Sequence, residues 1–188
     1  MPEQSPSQLI SVSPHQIAKR PSRNCSIEGS MDQEQQRLVR ASFAKVAPIA
    51  DTAAAMFYER LFATDPTLRS LFKGDMVVQG RLLMTMIETA VENVHQLDQL
   101  LPAVRDLGRR HAQYGVKAAD YDTVAGALLG TLQQALGSEF TPTVRDAWVA
   151  CYQTLAGEMK EAVPVDTRAA RSAASISCVL RDAFSECS

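Results

Sequence analysis

The chain has 188 residues, 46% of them hydrophobic, and a formal net charge of −2. That suffices for one domain with a real core, and a pI of about 5.9 lacks the basic excess that nucleic acid or an anionic membrane surface selects. No run of eighteen apolar residues occurs, so no membrane span is expected.

Residues 1–30 hold four of the nine prolines, with many Ser and Gln, and show no helical or strand period. They are expected to be a disordered extension, with His15 solvated. The N-terminus lacks the apolar stretch of a secretory signal. Cys25, Cys151, Cys178 and Cys187 are scattered and form no Cys-x-x-Cys pair. A reduced, cytoplasmic protein is the expectation. Residues 31–163 read as the folded domain, helix after helix, with no alternating strand pattern.

Gln33 to Val46 repeats apolar residues at Leu38, Ala41, Phe43, Ala44 and Val46, and Pro48 ends that helix. Thr52 to Phe62 follows, with Ala54, Phe57, Tyr58, Leu61 and Phe62 on one face. In residues 65–72 Asp65 can cap and Pro66 can open a short helix. Asp75 can cap a longer one, from Met76 to about Val94, with Gln79, Leu83, Met86, Ile87, Ala90 and Val94 on one face. Gly80 permits close approach of another helix, at Ala54.

The stretch LPAVRDLGRRHAQYG, residues 101–115, comes next. Pro102 suits the first turn of a helix and Gly115 the residue past its end. Leu100, Val104, Leu107 and His111 share one face, with Arg105, Asp106, Arg109 and Arg110 on the other. Ala118 to Leu136 then carries Tyr121, Val124, Leu128, Leu132 and Ala135 at helical spacing. Thr141 or Pro142 starts a last helix through Trp148, Tyr152, Leu155 and Met159 to about Ala162. In residues 164–188, Ala169, Ala173, Ile176, Leu180 and Phe184 could form one amphipathic helix.

Three polar side chains interrupt apolar faces: Tyr58, Gln79 and His111. A buried imidazole needs a partner, which could be a backbone carbonyl, a water, a carboxylate or a metal. Together the three suggest one pocket with polar groups on two sides. Other chemistries fit less well. The glycines are isolated, so there is no phosphate loop. His95 near a helix end reads as a partly exposed surface residue. A zinc site needs three or four protein ligands, and no second ligand stands at suitable spacing from His111. A site with one protein ligand takes a cofactor that brings its own, as haem does.

From about Asp32 to Ala162, about 70% of the chain, the sequence resembles a globin. It is most similar to single-domain bacterial haemoglobins and the haem domain of flavohaemoglobins. LVRASFAKVAP resembles the first helix, AAAMFYERLFATDPTLRSLF the second and third, and VVQGRLLMTMI the distal helix. LPAVRDLGRRHAQYGV resembles the proximal helix and DAWVACYQTLAGEM the last. The resemblance implies an all-α, three-over-three helical sandwich around one haem b. It makes His111 the iron ligand, its other N–H oriented by a carbonyl near Leu107. Tyr58 and Gln79 would line the distal side. Phe72, Leu83, Leu107, Val116 and Val124 would pack on the porphyrin, and Tyr121 would stand behind His111. The family's proximal glutamate falls at Val163 in a gap-free lineup. Glu161, two residues away, lies about 200° round the helix, which argues against a strongly polarised histidine.

The implied function is reversible binding of O₂, or of NO or CO, as a carrier or scavenger without catalytic residues. The resemblance shows no reductase half, so the alternative, nitric oxide dioxygenase, implies a separate reductase as partner. A haem-based gas sensor and a haem-free interaction module are further readings. The expected state is a monomer or homodimer.

Overall fold

A computed structural model describes residues 31–162. The expectations for residues 1–30 and 164–188, and the placement of Val163, lie outside the described residues. Within them the chain forms six α-helices joined by short turns, with no strand. The all-α expectation holds.

Helix α1, Gln33–Val46, opens on a capping box. Asp32 Oδ1 accepts from the Gln35 N–H at 2.7 Å, and Gln35 Oε1 accepts from the Asp32 N–H at 3.0 Å. Its buried stripe is Val39, Ser42, Phe43 and Val46, whereas Ala41 and Ala44, expected on that stripe, are exposed. The 3₁₀ turn Ala47–Ile49, carrying Pro48, leads into α2, Ala50–Thr64. Residues 66–71 form a 3₁₀ rather than an α-helical turn, capped by Asp65 as expected. Asp75 Oδ1 accepts from the Val77 N–H at 2.7 Å and starts α3, Met76–Glu92. Val94, expected at the end of α3, lies in the following 3₁₀ turn.

Helix α4, Leu97–Gln113, begins a full turn before Pro102, which is its sixth residue rather than its first. Leu97 is buried in the main core, and that burial carries the helix start back. Pro102 and Asp98 are exposed, so the carbonyl left without its donor stays open to water. Gly115, at φ 90°, ends α4 as predicted, and the Val116 N–H donates to the His111 carbonyl at 3.0 Å. Helix α5 is Asp120–Leu136, two residues shorter at its start than expected. Thr141 caps α6, Pro142–Glu161, with Pro142 in its first turn.

Helix α1 packs on α6, α4 on α6, and α2 on both α3 and α5. The α2–α3 crossing is tight: a Cβ on Gly80 would lie 2.9 Å from the Ala54 Cβ. The main core joins Val39, Phe43 and Val46 to Trp148 and Cys151. A second cluster surrounds Phe57, Tyr58 and Leu61. No helix among the described residues is long and apolar enough to cross a membrane.

Candidate functional site

The second cluster gathers four of the residues singled out in the sequence: Tyr58 from α2, Phe72 after the 3₁₀ turn, Leu83 from α3 and Val124 from α5. The Tyr58 ring meets Phe72 edge-on at 5.4 Å and stacks on Phe62 at 5.7 Å between centroids. Burial holds its phenol well above the ordinary range, and the nearby Gln79 amide acts weakly the other way. That approach falls short of a hydrogen bond. Gln79 is 1% exposed, and neither its Nε2 nor its Oε1 has a partner among the described residues. An unbonded amide in a core costs about 1–3 kcal/mol, so Gln79 is an exception among buried polar groups.

A second group forms on α4. His111 is half-buried, and its Nδ1 lies 2.9 Å from the Leu107 carbonyl. A carbonyl only accepts, so Nδ1 carries the hydrogen and Nε2 keeps its lone pair. Among the described residues Nε2 makes no hydrogen bond. Desolvation lowers the imidazole's pKa, the Leu107 bond opposing it, which favours the neutral ring. Gly108 sets the depth of this helix. A Cβ there would run into the Met159 backbone, its Cα 2.7 Å away, so α4 rests directly on α6.

The Tyr121 ring stacks against His111 at 6.3 Å. Burial, with Asp120 adding to it, pushes its phenol up to about 12. The Tyr152 hydroxyl donates to the Tyr121 carbonyl at 2.6 Å and ties α6 to the start of α5. Val116 is half-buried beside the His111 carbonyl that its N–H bonds. Val124 lies one turn beyond Tyr121, so α5 runs from the His111 group to the Tyr58 group.

Two features depart from the sequence reading. Arg110, expected on the solvent side, is half-buried, with Nη1 enclosed and unbonded among the described residues. Lys160, not singled out at all, holds its Nζ 5.5 Å from the Tyr121 ring centroid. A lysine in a last turn reads as a solvated charge, and only the packing of α6 on α5 reveals its contact. His95 is exposed, as expected, and Glu161 is exposed too. No group of three or more His, Cys, Asp or Glu residues able to hold a metal ion occurs among the described residues.

The model of the globin family matches residues 55–159. A flavohemoprotein of Halalkalibacterium halodurans is 28% identical over 130 residues, covering 68% of this chain and 32% of that protein. One of Bacillus subtilis is 26% identical over 129 residues, with 67% and 32% covered. The chain thus spans about a third of the length of these curated relatives. Among solved structures, it is similar to an engineered carbene transferase built on a protein of Rhodothermus marinus named as a nitric oxide dioxygenase. The TM-score is 0.62 and the identity 27%, over 68% of this chain and 89% of that one. A hexacoordinated heme protein of an anhydrobiotic tardigrade shares the fold at TM-score 0.63 and 16% identity, over 71% and 96%. With more than half of its length matched by the family model, the chain belongs to the globin family.

Proposed function

We propose that this globin holds one haem b through His111 and binds a diatomic gas reversibly beside Tyr58 and Gln79, O₂ foremost. The observation that carries the reading is the His111 imidazole: neutral, fixed by the Leu107 carbonyl, and with Nε2 uncommitted. Those are the requirements of a histidine ligand. One protein ligand suits a metal that arrives in its own macrocycle. The apolar side chains fit the rest of that cofactor: Phe72, Leu83 and Val124 from one group, Leu107 and Val116 from the other, with Tyr121 behind the ligand. When bound, haem supplies an iron that coordinates diatomic gases.

The chain's own residues then do three things. Leu107 fixes the tautomer of His111, so the nitrogen facing the cofactor carries no proton. The second cluster excludes water from the gas side. The Tyr58 phenol, kept protonated by burial, donates to the ligand's outer atom, and the unbonded Gln79 amide donates to that atom or to the phenol oxygen.

Absorption spectra of the purified protein, oxidised, reduced and with CO, test the reading together with His111→Ala. The wild type should show a Soret band and one haem per chain, and the variant should retain little haem. Full haem content with an unchanged Soret band in the variant would place the ligand elsewhere.

A second reading is nitric oxide dioxygenation with electrons from a separate reductase. The Rhodothermus marinus neighbour and the flavohemoprotein relatives favour it. Sustained NO consumption with NADH and an added reductase would support it. Failure to re-reduce the oxidised protein favours the carrier or scavenger. A soluble protein working in the cytoplasm is part of the same proposal.

A further inference from the structure

Helix α4 carries His111, and one glycine decides where that helix sits. A Cβ on Gly108 would lie 2.7 Å from the Met159 Cα and 2.9 Å from the Met159 carbonyl carbon. Ordinary van der Waals contact for such an atom begins near 3.4 Å. Both obstacles are α6 backbone, which cannot rotate aside as a side chain can. Any larger residue at this position would push α4 off α6 by several tenths of an ångström.

Two contacts tie this seat to the imidazole. The peptide joining Leu107 to Gly108 supplies the carbonyl that accepts from His111 Nδ1 at 2.9 Å, so the seated residue and the orienting group share one rigid plane. Beside the seat, Arg105 Nε donates at 2.8 Å to Oε2 of Glu158, the residue before Met159. At about 100° per residue, His111 points about 60° from Gly108 round the helix. Half of any retreat from α6 therefore lies along the histidine's own direction and draws the ring back.

We propose that Gly108 is a positioning residue: its missing side chain lets α4 seat on the Met159 backbone, and that seat sets how far the His111 imidazole reaches and so how firmly Nε2 holds the iron. This rests on the haem reading above.

The test uses purified, reduced holoprotein and two readouts, the iron–histidine stretching frequency and the rate at which haem passes to an excess of a haem-free acceptor protein. Gly108→Ala should lower the frequency and speed haem release by about tenfold, the scale that the strain of an overpacked methyl implies. Gly157→Ala, on α6 where an added Cβ meets nothing within 4 Å, should change neither. Ser42→Ala, which strands Trp148 Nε1 in the α1–α6 core, should leave the frequency alone. A second arm detaches the ligand. In His111→Gly with added imidazole the ligand no longer rides on α4, so adding Gly108→Ala should leave the haem content and iron–imidazole frequency of that variant unchanged. This arm decides the matter even where Gly108→Ala alone retains little haem. An unchanged frequency in Gly108→Ala with normal haem content overturns the proposal and leaves the haem reading standing. So does an equal fall in Gly157→Ala or Ser42→Ala, or an undiminished effect of Gly108→Ala in the imidazole-ligated variant. Absence of any iron–histidine mode in the wild type overturns the haem reading, and this proposal with it.

Discussion

The α1–α6 core and the Tyr58–Gln79 pocket both bury polar side chains among apolar ones, and they treat them oppositely. In the core, Ser42 Oγ donates to the Leu38 carbonyl at 2.7 Å and accepts from Trp148 Nε1 at 2.9 Å. In the pocket, Gln79 is as deeply buried as Val39 to within 1% exposure, yet among the described residues its amide makes no hydrogen bond. The core is a finished solid whose hydrogen bonds close on themselves. In the pocket the Gln79 amide, and in the second group His111 Nε2, make no hydrogen bond among the described residues. Polar satisfaction therefore separates the two regions better than burial does.

The largest effect should come from the core. Trp148 is 3% exposed and packs on Phe43 at 6.4 Å between centroids. Trp148→Ala should cost about 3–5 kcal/mol, the range for truncating a buried aromatic side chain. Chemical denaturation measures it; a loss under about 1 kcal/mol would mean that this half does not anchor the fold. The pocket should respond in ligand kinetics instead. Tyr58→Phe removes a donor to a ligand atom of partial charge, worth about 1.5–3 kcal/mol with its Gln79 support. O₂ should then dissociate about tenfold faster or more, with CO dissociation little changed. Equal responses of the two gases would show that the phenol points away from the ligand.

Opposite signs sharpen the contrast. Ser42→Ala strands Trp148 Nε1 and should cost about 1–3 kcal/mol. Gln79→Leu removes an orphaned amide and should stabilise the haem-free protein by a similar amount, about 1–3 kcal/mol, while weakening gas binding. Paired denaturation curves decide it, and destabilisation by both would erase the distinction.

The smallest effect is one of pH. Burial in the core pushes the Cys151 thiol up to about 11, from an ordinary 9.0. The unfolded chain then loses its thiol proton first, so this contribution is intact below about pH 9 and fades as pH rises toward 11. About 1 kcal/mol should be gone by pH 9.5. Melting curves at pH 7.5 and 9.5 should show that loss in the wild type and little of it in Cys151→Ala.

The helices, their caps and the polar interruptions were legible along the chain, because those signals act within a turn or two of it. Asp65 and Asp75 cap, and Thr141 opens the last helix, where their spacing predicts. Tyr58, Gln79 and His111 each stand out as a hydrogen-bonding side chain on an apolar stripe. Even Gly80 against Ala54 was legible, since a missing Cβ beside a buried face permits only close approach. Other matters were decided by tertiary structure alone. The core stripe of α1 turned to Val39 and Ser42 because Trp148, 106 residues away, supplies the donor that lets a serine be buried. Leu97 found a place in the core and moved the start of α4 past Pro102. Lys160 reached Tyr121, and Arg110 lost its solvent, through the way α4, α5 and α6 cross, with Gly108 pressed on the Met159 backbone. Periodicity states which side of a helix is apolar. It does not state which neighbour that side will meet, because the crossing of two helices is settled by the side chains of both at once.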